Sequence, residues 1–524
     1  MRVLVTEPLA EPGIQRLRAH AEVDVRLKLS PEELKRIIPG YEALIVRSGT
    51  KVTRELIEAG ARLRVIGRAG TGVDNIDLKA ATEHGVIVVN APTANCVAAA
   101  EHTIALLLAL ARNIPQADQA MRRGEWDRHR FVGTAITDKT LGLIGFGRVG
   151  SEVARRAKGL GMRVIAYDPY MPAERARALG VELRSLEEVL QEADFVSLHV
   201  PLTEETRHLM NARTLALMKP GSYLINVSRG GVVDEEALYR ALQSGHLAGA
   251  ALDVFSEEPP RDNPLVGLPN VITTPHLGAS TAEAQVGVAL EVAEAVIAAL
   301  EGRLPPTVVN APMIPPETLA ELAPYVDLAE RLGRMAIQLA RDTGGPSQVH
   351  IVYSGTIGRG DTRPLRAAVL KGLLEPVSEQ RINWVNADLI AEQRHLEVVE
   401  EHRPAEGPWT NTITLRLTNG HVQEIEGTVV QGAPHVVRIG DFRIDLELNG
   451  YILICRNIDR PGMIGKVGTI LGREGINISF MQVGRDRPRG HAVMALGLDE
   501  PPPEHVVAEI ASLPDISFAL LVRI

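Results

Sequence analysis

Short, fully apolar runs alternate with helix-like stretches through the first hundred residues: Val3 to Val5, Ala43 to Val46, Val65 to Ile66 and Val86 to Val89, against Pro31 to Ile38 and Thr53 to Ala59. Runs apolar on both faces belong in a buried parallel sheet, with the helices as crossovers. From Ala98 to Arg112 the pattern predicts one long apolar-rich helix, and from Thr140 to about Thr274 a second strand-helix series. Ser280-Thr-Ala-Glu283 has capping-box spacing and predicts a further helix to about Leu300, returning to the first unit. Five of the twelve residues from Pro305 to Pro316 are proline, which predicts a stiff connector and a domain boundary.

Beyond it the pattern is mixed, with strands predicted at Val349 to Tyr353 and Thr412 to Leu417 and no recognisable catalytic constellation. After Asn449-Gly450, a strand at Ile452 to Cys455, a helix at Met463 to Glu474 and a strand from Ile476 predict a small α/β module. The predicted fold class is α/β, two doubly wound parallel-sheet units followed by two smaller units. The predicted divisions are 1–97 with 283–311, then 98–282, 312–450 and 451–524.

Composition narrows the function. At 524 residues, with 45% hydrophobic and 23% charged, the chain can bury several cores and is neither disordered nor fibrous. Fifty-six basic against 65 acidic residues leave a formal charge of −9, which argues against a nucleic-acid partner. Cys96 and Cys455 alone can supply neither a disulfide framework nor a conventional zinc site, so no metal and a reducing compartment are expected. The opening MRVLVTEP lacks signal-peptide features, and the most apolar windows, Ile104 to Leu110 and Val286 to Leu300, are too short or too charged to span a bilayer. A cytoplasmic location, with no membrane partner, is the expectation.

Chemistry enters at Gly145-Phe-Gly-Arg-Val-Gly150, a G-x-G-x-x-G run directly after an apolar strand and before the helix-like Ser151 to Gly159. Glycines there permit a tight turn and let a pyrophosphate approach the helix N-terminus. The next apolar run ends in Asp168, 18 residues beyond Gly150, near the spacing of a ribose-diol ligand. A carboxylate in that place accepts from ribose hydroxyls and repels a 2′-phosphate, which predicts NAD rather than NADP.

Three polar residues follow successive strand-like runs: Arg229 after Tyr223 to Val227, Glu258 after Ala250 to Phe255, and His276 after Val271 to Thr274. Open α/β sheets bind ligands at the carboxyl ends of their strands. Singly, each has a plainer reading: a structural histidine, a solvated turn arginine, an exposed acidic loop.

Jointly, these residues and longer segments around them resemble the D-2-hydroxyacid dehydrogenases, and among them the long-form enzymes that oxidise 3-phosphoglycerate and enter L-serine synthesis. The segments are Arg68-Ala-Gly-Thr-Gly-Val-Asp-Asn-Ile-Asp77, the glycine loop, Ser228-Arg-Gly-Gly-Val-Val-Asp-Glu235, Ala251 to Pro260, and Pro275-His-Leu-Gly-Ala-Ser-Thr281. The likeness covers about the first 310 residues and the last 75, and the middle only by position.

The resemblance implies Rossmann-like units and a catalytic set of Arg229, Glu258 and His276. His276 would be the base for the substrate hydroxyl, Glu258 its orienting partner and Arg229 the carboxylate ligand. It further assigns to the dinucleotide Gly145, Gly147, Arg148, Val149, Gly150, Asp168, Thr71, Val200, Val227, Ser228, Asp253, Gly278 and Ala279. For the substrate it implies Arg47, Arg68, Ala69, Gly70, Asn95 and Arg128 beside Arg229 and His276, with Arg128 reaching a neighbouring subunit's site. Substrate and product would be 3-phosphoglycerate and 3-phosphohydroxypyruvate, and a homo-oligomer, dimer or tetramer, is expected.

The tail segment Asn457-Ile-Asp-Arg-Pro-Gly-Met-Ile-Gly465, with Gly475-Ile-Asn-Ile478, resembles an ACT domain of βαββαβ order. That likeness implies L-serine as effector, held by Asn457, Asp459, Gly462, Asn477 and Ile478; oligomerisation alone is the competing role. Glyoxylate or hydroxypyruvate reductases share the catalytic set, and an NAD-sensing corepressor shares the fold. Preference for a phosphorylated substrate separates the first, and NADH-dependent partner binding without turnover the second.

Overall fold

The computed structural model of the chain describes all residues except 304, 312–315, 341–344 and 419–421. Part of the predicted proline-rich connector, and with it the predicted boundary at 312, lies outside the described residues.

The first apolar runs form a five-stranded parallel sheet in the order Glu22–Val25, Arg2–Val5, Ala43–Val46, Val65–Arg68, Ile87–Asn90. Glu22–Val25 escapes sequence reading because its Glu-Val-Asp-Val pattern is that of an exposed edge, none of it buried. The helix Ala282–Leu300 packs on this sheet and on Glu11–Arg18, although over a hundred and ninety residues separate it from the last strand. Gly67 is what lets it approach: a β-carbon there would meet Val296 Cγ2 at 2.7 Å and Val292 Cγ2 at 3.0 Å. The predicted capping box is corrected. Thr281, not Ser280, caps this helix, its hydroxyl accepting from the Ala284 amide at 3.1 Å.

The second unit is a seven-stranded parallel sheet in the order Val271–Thr273, Gly249–Leu252, Tyr223–Asn226, Phe195–Leu198, Thr140–Ile144, Arg163–Tyr167, Glu182–Leu183. Chain order reverses beside Thr140–Ile144, between Phe195–Leu198 and Arg163–Tyr167, and a crevice opens beyond strand ends at such a reversal. The long apolar helix runs Cys96–Ala111 and packs against this sheet, followed by Ile114–Arg122. Among the described residues no single helix is long and apolar enough to cross a membrane. Both cysteines are buried and free.

Residues Gln348–Glu447 build a mixed six-stranded sheet, in which Gln348–Gly355 runs parallel to Glu397–Arg403 and antiparallel to Asn411–Thr418. The long helix Pro316–Leu339 covers it. The last unit has strands Tyr451–Ile458, Ile478–Arg485, His491–Leu498 and Ile516–Arg523, with helices Met463–Arg473 and Glu504–Ala511, in βαββαβ order. Its second strand starts at Ile478 rather than Ile476, because the chain leaves the helix through Gly475 at φ +74° and Ile476 is still in the turn.

Candidate active site

The glycine loop leaves the strand Thr140–Ile144 and enters the helix Arg148–Gly159, three residues earlier than the polar-apolar pattern suggests. Gly145 has φ +92°, and a β-carbon would meet the His199 carbonyl oxygen at 2.5 Å. On Gly150 it would meet the Gly145 oxygen at 2.4 Å, so helix and loop touch. At Gly147 a β-carbon would meet nothing within 4 Å. The space over the helix N-terminus is therefore open, flanked by Arg148 and Val149, and it fits a pyrophosphate.

Asp168 accepts from the Phe146 amide at 2.8 Å, the Tyr170 amide at 2.9 Å and the Met171 amide at 3.1 Å. Of about four acceptor positions on a carboxylate, three are used, and the remaining one suits a ribose hydroxyl. Val200 lies beside Gly145 across the strand reversal. Val227, Gly278 and Asp253 meet on the far side of the crevice, where a β-carbon on Gly278 would touch Val227 Cγ1 at 3.0 Å and Asp253 Oδ2 at 3.3 Å. Ser228 is turned onto Asn226, its hydroxyl donating at 2.9 Å.

A cavity of about 280 Å³ lies between the first two units. It brings together Arg47, Arg68, Ala69, Gly70, Thr71 and Asn95 from the first sheet's strand ends with Arg229, Glu258, His276 and Ala279 from the second. Arg128 does not line it; this arginine precedes the exposed turn His129–Phe131. His276 Nδ1 lies 2.8 Å from Glu258 Oε2. An ionised carboxylate only accepts, so Nδ1 carries the proton and Nε2 is left with a lone pair for the substrate.

The loop that presents His276 is pinned by a buried carboxylate. His276 itself is in the left-handed region, at φ 55°, a conformation costing roughly 1–2 kcal/mol in a residue with a side chain. Its amide donates to the Asp253 carbonyl at 2.9 Å, and the Leu277 and Gly278 amides donate to the Asp253 carboxylate at 2.7 and 2.8 Å. Thr274 Oγ1 donates to the same group at 2.5 Å, and His102 Nε2 sits 3.1 Å away. Burial alone would raise the pKa of Asp253, but the hydrogen bonds from His102, Thr274 and Leu277 hold it below the ordinary carboxylate range. A lone histidine in the apolar helix Cys96–Ala111 reads as core, so His102 carries no signal in the sequence.

Glu258 behaves similarly. Burial opposes its ionisation, yet the hydrogen bond and charge of His276, with the Phe255 amide at 3.2 Å, bring its pKa below the ordinary value of 4.5. A depressed carboxylate contributes stability that is fully present above the unfolded value and is lost as pH falls through the folded one. The melting-temperature gap between the parent and Glu258→Gln should therefore close as the pH falls below about 4.5. Thermal unfolding across the acid range checks this; a gap that widens in acid would contradict it.

Cations crowd the opposite wall. Arg68 is driven down to about 10, first by burial and then by the charges of Arg229 and Arg47. Its Nε is buried without a partner, and Nη1 reaches only the Ala69 carbonyl at 3.2 Å. Arg229 donates from Nε to Asp74 at 3.0 Å and from Nη1 to the Ser228 carbonyl at 2.8 Å, so three of its five N–H groups remain for a ligand. Asp74 and Glu7 hold Arg229 and Arg47 in place without belonging to any motif of their own. Glu7, at the end of the first strand, accepts from the amides of Arg47, Gly49 and Thr50 at 2.8, 3.0 and 2.8 Å and fixes the loop that carries Arg47. Acids following a strand were the available signal.

This geometry has close counterparts among known proteins. The description "D-isomer specific 2-hydroxyacid dehydrogenase, NAD binding domain" matches residues 104–278, "D-3-phosphoglycerate dehydrogenase intervening domain" matches 321–440, and "ACT domain" matches 451–515. A D-3-phosphoglycerate dehydrogenase of Methanocaldococcus jannaschii is 47% identical over the full length of both chains. The chain belongs to the D-3-phosphoglycerate dehydrogenase family. Another of its members, the chloroplastic D-3-phosphoglycerate dehydrogenase 2 of Arabidopsis thaliana, is 52% identical, over 98% of this chain and 85% of that one. Among solved structures, the TT0316 protein of Thermus thermophilus superposes with a TM-score of 0.55 at 41% identity, over 59% of this chain and 100% of its own. A chain of this family thus carries its NAD-binding unit where the glycine loop and Asp168 stand.

In the ACT unit a cavity of about 410 Å³ is lined by Asn457, Asp459 and Gly462. Gly462, at φ 89°, precedes the helix Met463–Arg473. Asn457 is buried with its Oδ1 unpartnered. Asp459 already accepts from Arg485 Nη1 and from the Arg489 amide, each at 3.1 Å. Asn477 and Ile478 lie outside this cavity, and the Asn477 amide donates to Asp499 at 2.7 Å.

Proposed function

We propose that the cleft oxidises 3-phospho-D-glycerate to 3-phosphohydroxypyruvate with NAD as acceptor, the first step of L-serine synthesis. The observation that carries this reading is the convergence of Arg47, Arg68 and Arg229 on one small cavity, with Arg68 short of partners. One guanidinium satisfies the substrate carboxylate; two more are unexplained unless the substrate carries a second anionic group. Arg229, its remaining N–H groups free, binds the carboxylate and polarises the neighbouring oxygen. Arg47 and Arg68 hold the phosphate. His276 Nε2 takes the hydroxyl proton, and Glu258 stabilises the imidazolium that results. Bound NAD supplies the acceptor for the hydrogen and electron pair leaving the substrate carbon. Ala69, Gly70, Thr71 and Asn95 bound the substrate side, and Ala279 the dinucleotide side.

In the ACT cavity we place L-serine as feedback effector, with the Asn457 oxygen a ready acceptor for its ammonium group. Further parts of this reading are a homo-oligomer, in which Arg128 serves a neighbouring subunit, and a cytoplasmic location. NADH formation from NAD is the test, with 3-phosphoglycerate, D-glycerate and D-lactate compared in parent and Arg68→Ala, with and without L-serine. The parent should prefer the phosphorylated acid by several orders of magnitude. Arg68→Ala should lose roughly a hundredfold of that preference, as two charge-assisted hydrogen bonds would give. Equal rates on all three acids would remove the phosphate assignment, and rates unmoved by serine would remove the effector.

A further inference from the structure

A second cationic cavity, of about 310 Å³, lies at the joint between the first unit and the intervening one. Arg64 and Arg303 line it from the first unit, and Lys371, Arg381 and Trp384 from the intervening one. Its one acid, Glu375, is paired with Arg334 at 2.8 Å. Two of the cations are accounted for, since Lys371 binds Glu330 at 2.7 Å and Arg303 binds Glu301. The other two are not. Among the described residues no ion pair to Arg64 or Arg381 is found, and Arg381 donates only to the Leu63 carbonyl, from Nη1 at 2.8 Å.

The joint is built rather than incidental. Arg381 and Asn383, whose amide donates to the Gly85 carbonyl at 2.7 Å, bridge the two units through backbone acceptors. Gly85, at φ +63°, leaves room for this contact, because a β-carbon would meet Asn386 Nδ2 at 2.9 Å and the Arg381 carbonyl at 3.2 Å. Trp384 forms an apolar wall with the Lys371 ammonium 5.6 Å above its ring, and its indole N–H is buried with no partner. Burial, then the charge of Arg64, pushes the pKa of Arg381 down. Two guanidinium groups that line one cavity without an ion-pair partner repel each other, and an anion entering between them relieves that repulsion.

We propose that this joint is a binding site for a small phosphate-bearing anion, held by Arg64 and Arg381 and distinct from the catalytic cleft. Guanidinium forks suit phosphate oxygens. Because one fork comes from each unit, occupancy stiffens the joint between the catalytic and the regulatory parts of the chain.

The test is calorimetric titration of inorganic phosphate, at constant ionic strength, into the full-length protein carrying Arg68→Ala, which weakens phosphate uptake at the catalytic cleft. One phosphate per chain should still bind. Adding Arg64→Ala should weaken that binding at least tenfold, whereas adding Arg64→Lys should largely retain it. Arg64 is the residue of choice because its side chain makes no described hydrogen bond, so its loss leaves the bridge through Arg381 intact. Thermal unfolding gives an independent reading: phosphate should raise the midpoint of the Arg68→Ala protein and of Arg68→Ala with Arg64→Lys, but not of Arg68→Ala with Arg64→Ala. Phosphate binding indifferent to Arg64→Ala, or no phosphate bound once Arg68 is gone, would overturn the proposal.

Discussion

His276→Ala should lower turnover of 3-phosphoglycerate by about 10²–10⁴-fold, the usual contribution of a positioned general base. Its binding of NAD should stay near that of the parent, because the glycine loop and Asp168 lie on other strand ends of the same sheet. The loss should fall on kcat and on kcat/KM alike, since the imidazole acts on the proton in the transition state rather than on the resting substrate. Steady-state kinetics, together with dinucleotide titration by fluorescence, separates the two effects. His276 occupies a left-handed backbone position, and alanine there removes the side chain without relieving that strain, so the loop need not refold. Turnover within a few-fold of the parent would mean that another group takes the proton.

Arg229→Ala is the second large effect. Two charge-assisted hydrogen bonds to a carboxylate, at about 1.5–3 kcal/mol each, predict a loss of roughly 3 kcal/mol or more, about a hundredfold in kcat/KM. Arg229→Lys should recover little of it, because an ammonium cannot donate at once to Asp74, to the Ser228 carbonyl and in parallel to a ligand. The substitution also leaves Asp74, whose carboxylate lies beside the cavity-lining Gly72, without its ion-pair partner. An unpaired carboxylate beside an anionic substrate should add a rise in KM. Measuring KM for 3-phosphoglycerate in Arg229→Ala and in Arg229→Ala with Asp74→Asn resolves the two parts, and the double variant should bind substrate better than the single one.

The parallel sheets were legible because their strands are apolar on both faces and their ligands follow strand ends. Gly145 to Gly150, Asp168, Arg229, Glu258 and His276 could all be singled out from spacing and likeness. Residues that act through another residue gave no such signal. The likeness places Asp253 with the dinucleotide, but its buried carboxylate is filled by Thr274, Leu277 and Gly278, and nothing in Ala-Leu-Asp-Val-Phe announces that the loop of His276 depends on it. His102 is hidden in an apolar helix, and Asp74 and Glu7 in turns. The joint cavity was invisible for a different reason: Arg64, Arg303 and Arg381 are far apart in sequence and share no periodicity, so only the packing of the intervening unit on the first one brings them together. Helix starts were the least legible detail. Arg148 to Gly150 read as loop because glycine and a charged residue are poor predictors of a first turn, yet the helix begins there.

The long helix Ala282–Leu300 covers a sheet whose last strand ended at Asn90, and this order has a cost during synthesis. Chains emerge from the ribosome amino end first. Val65 and the cleft above Gly67 that receives Val292 and Val296 must wait, uncovered, while the whole nucleotide-binding unit is made. Nascent chains stalled anywhere between 100 and 280 should therefore display a sticky apolar face, making that interval the natural point for chaperone engagement.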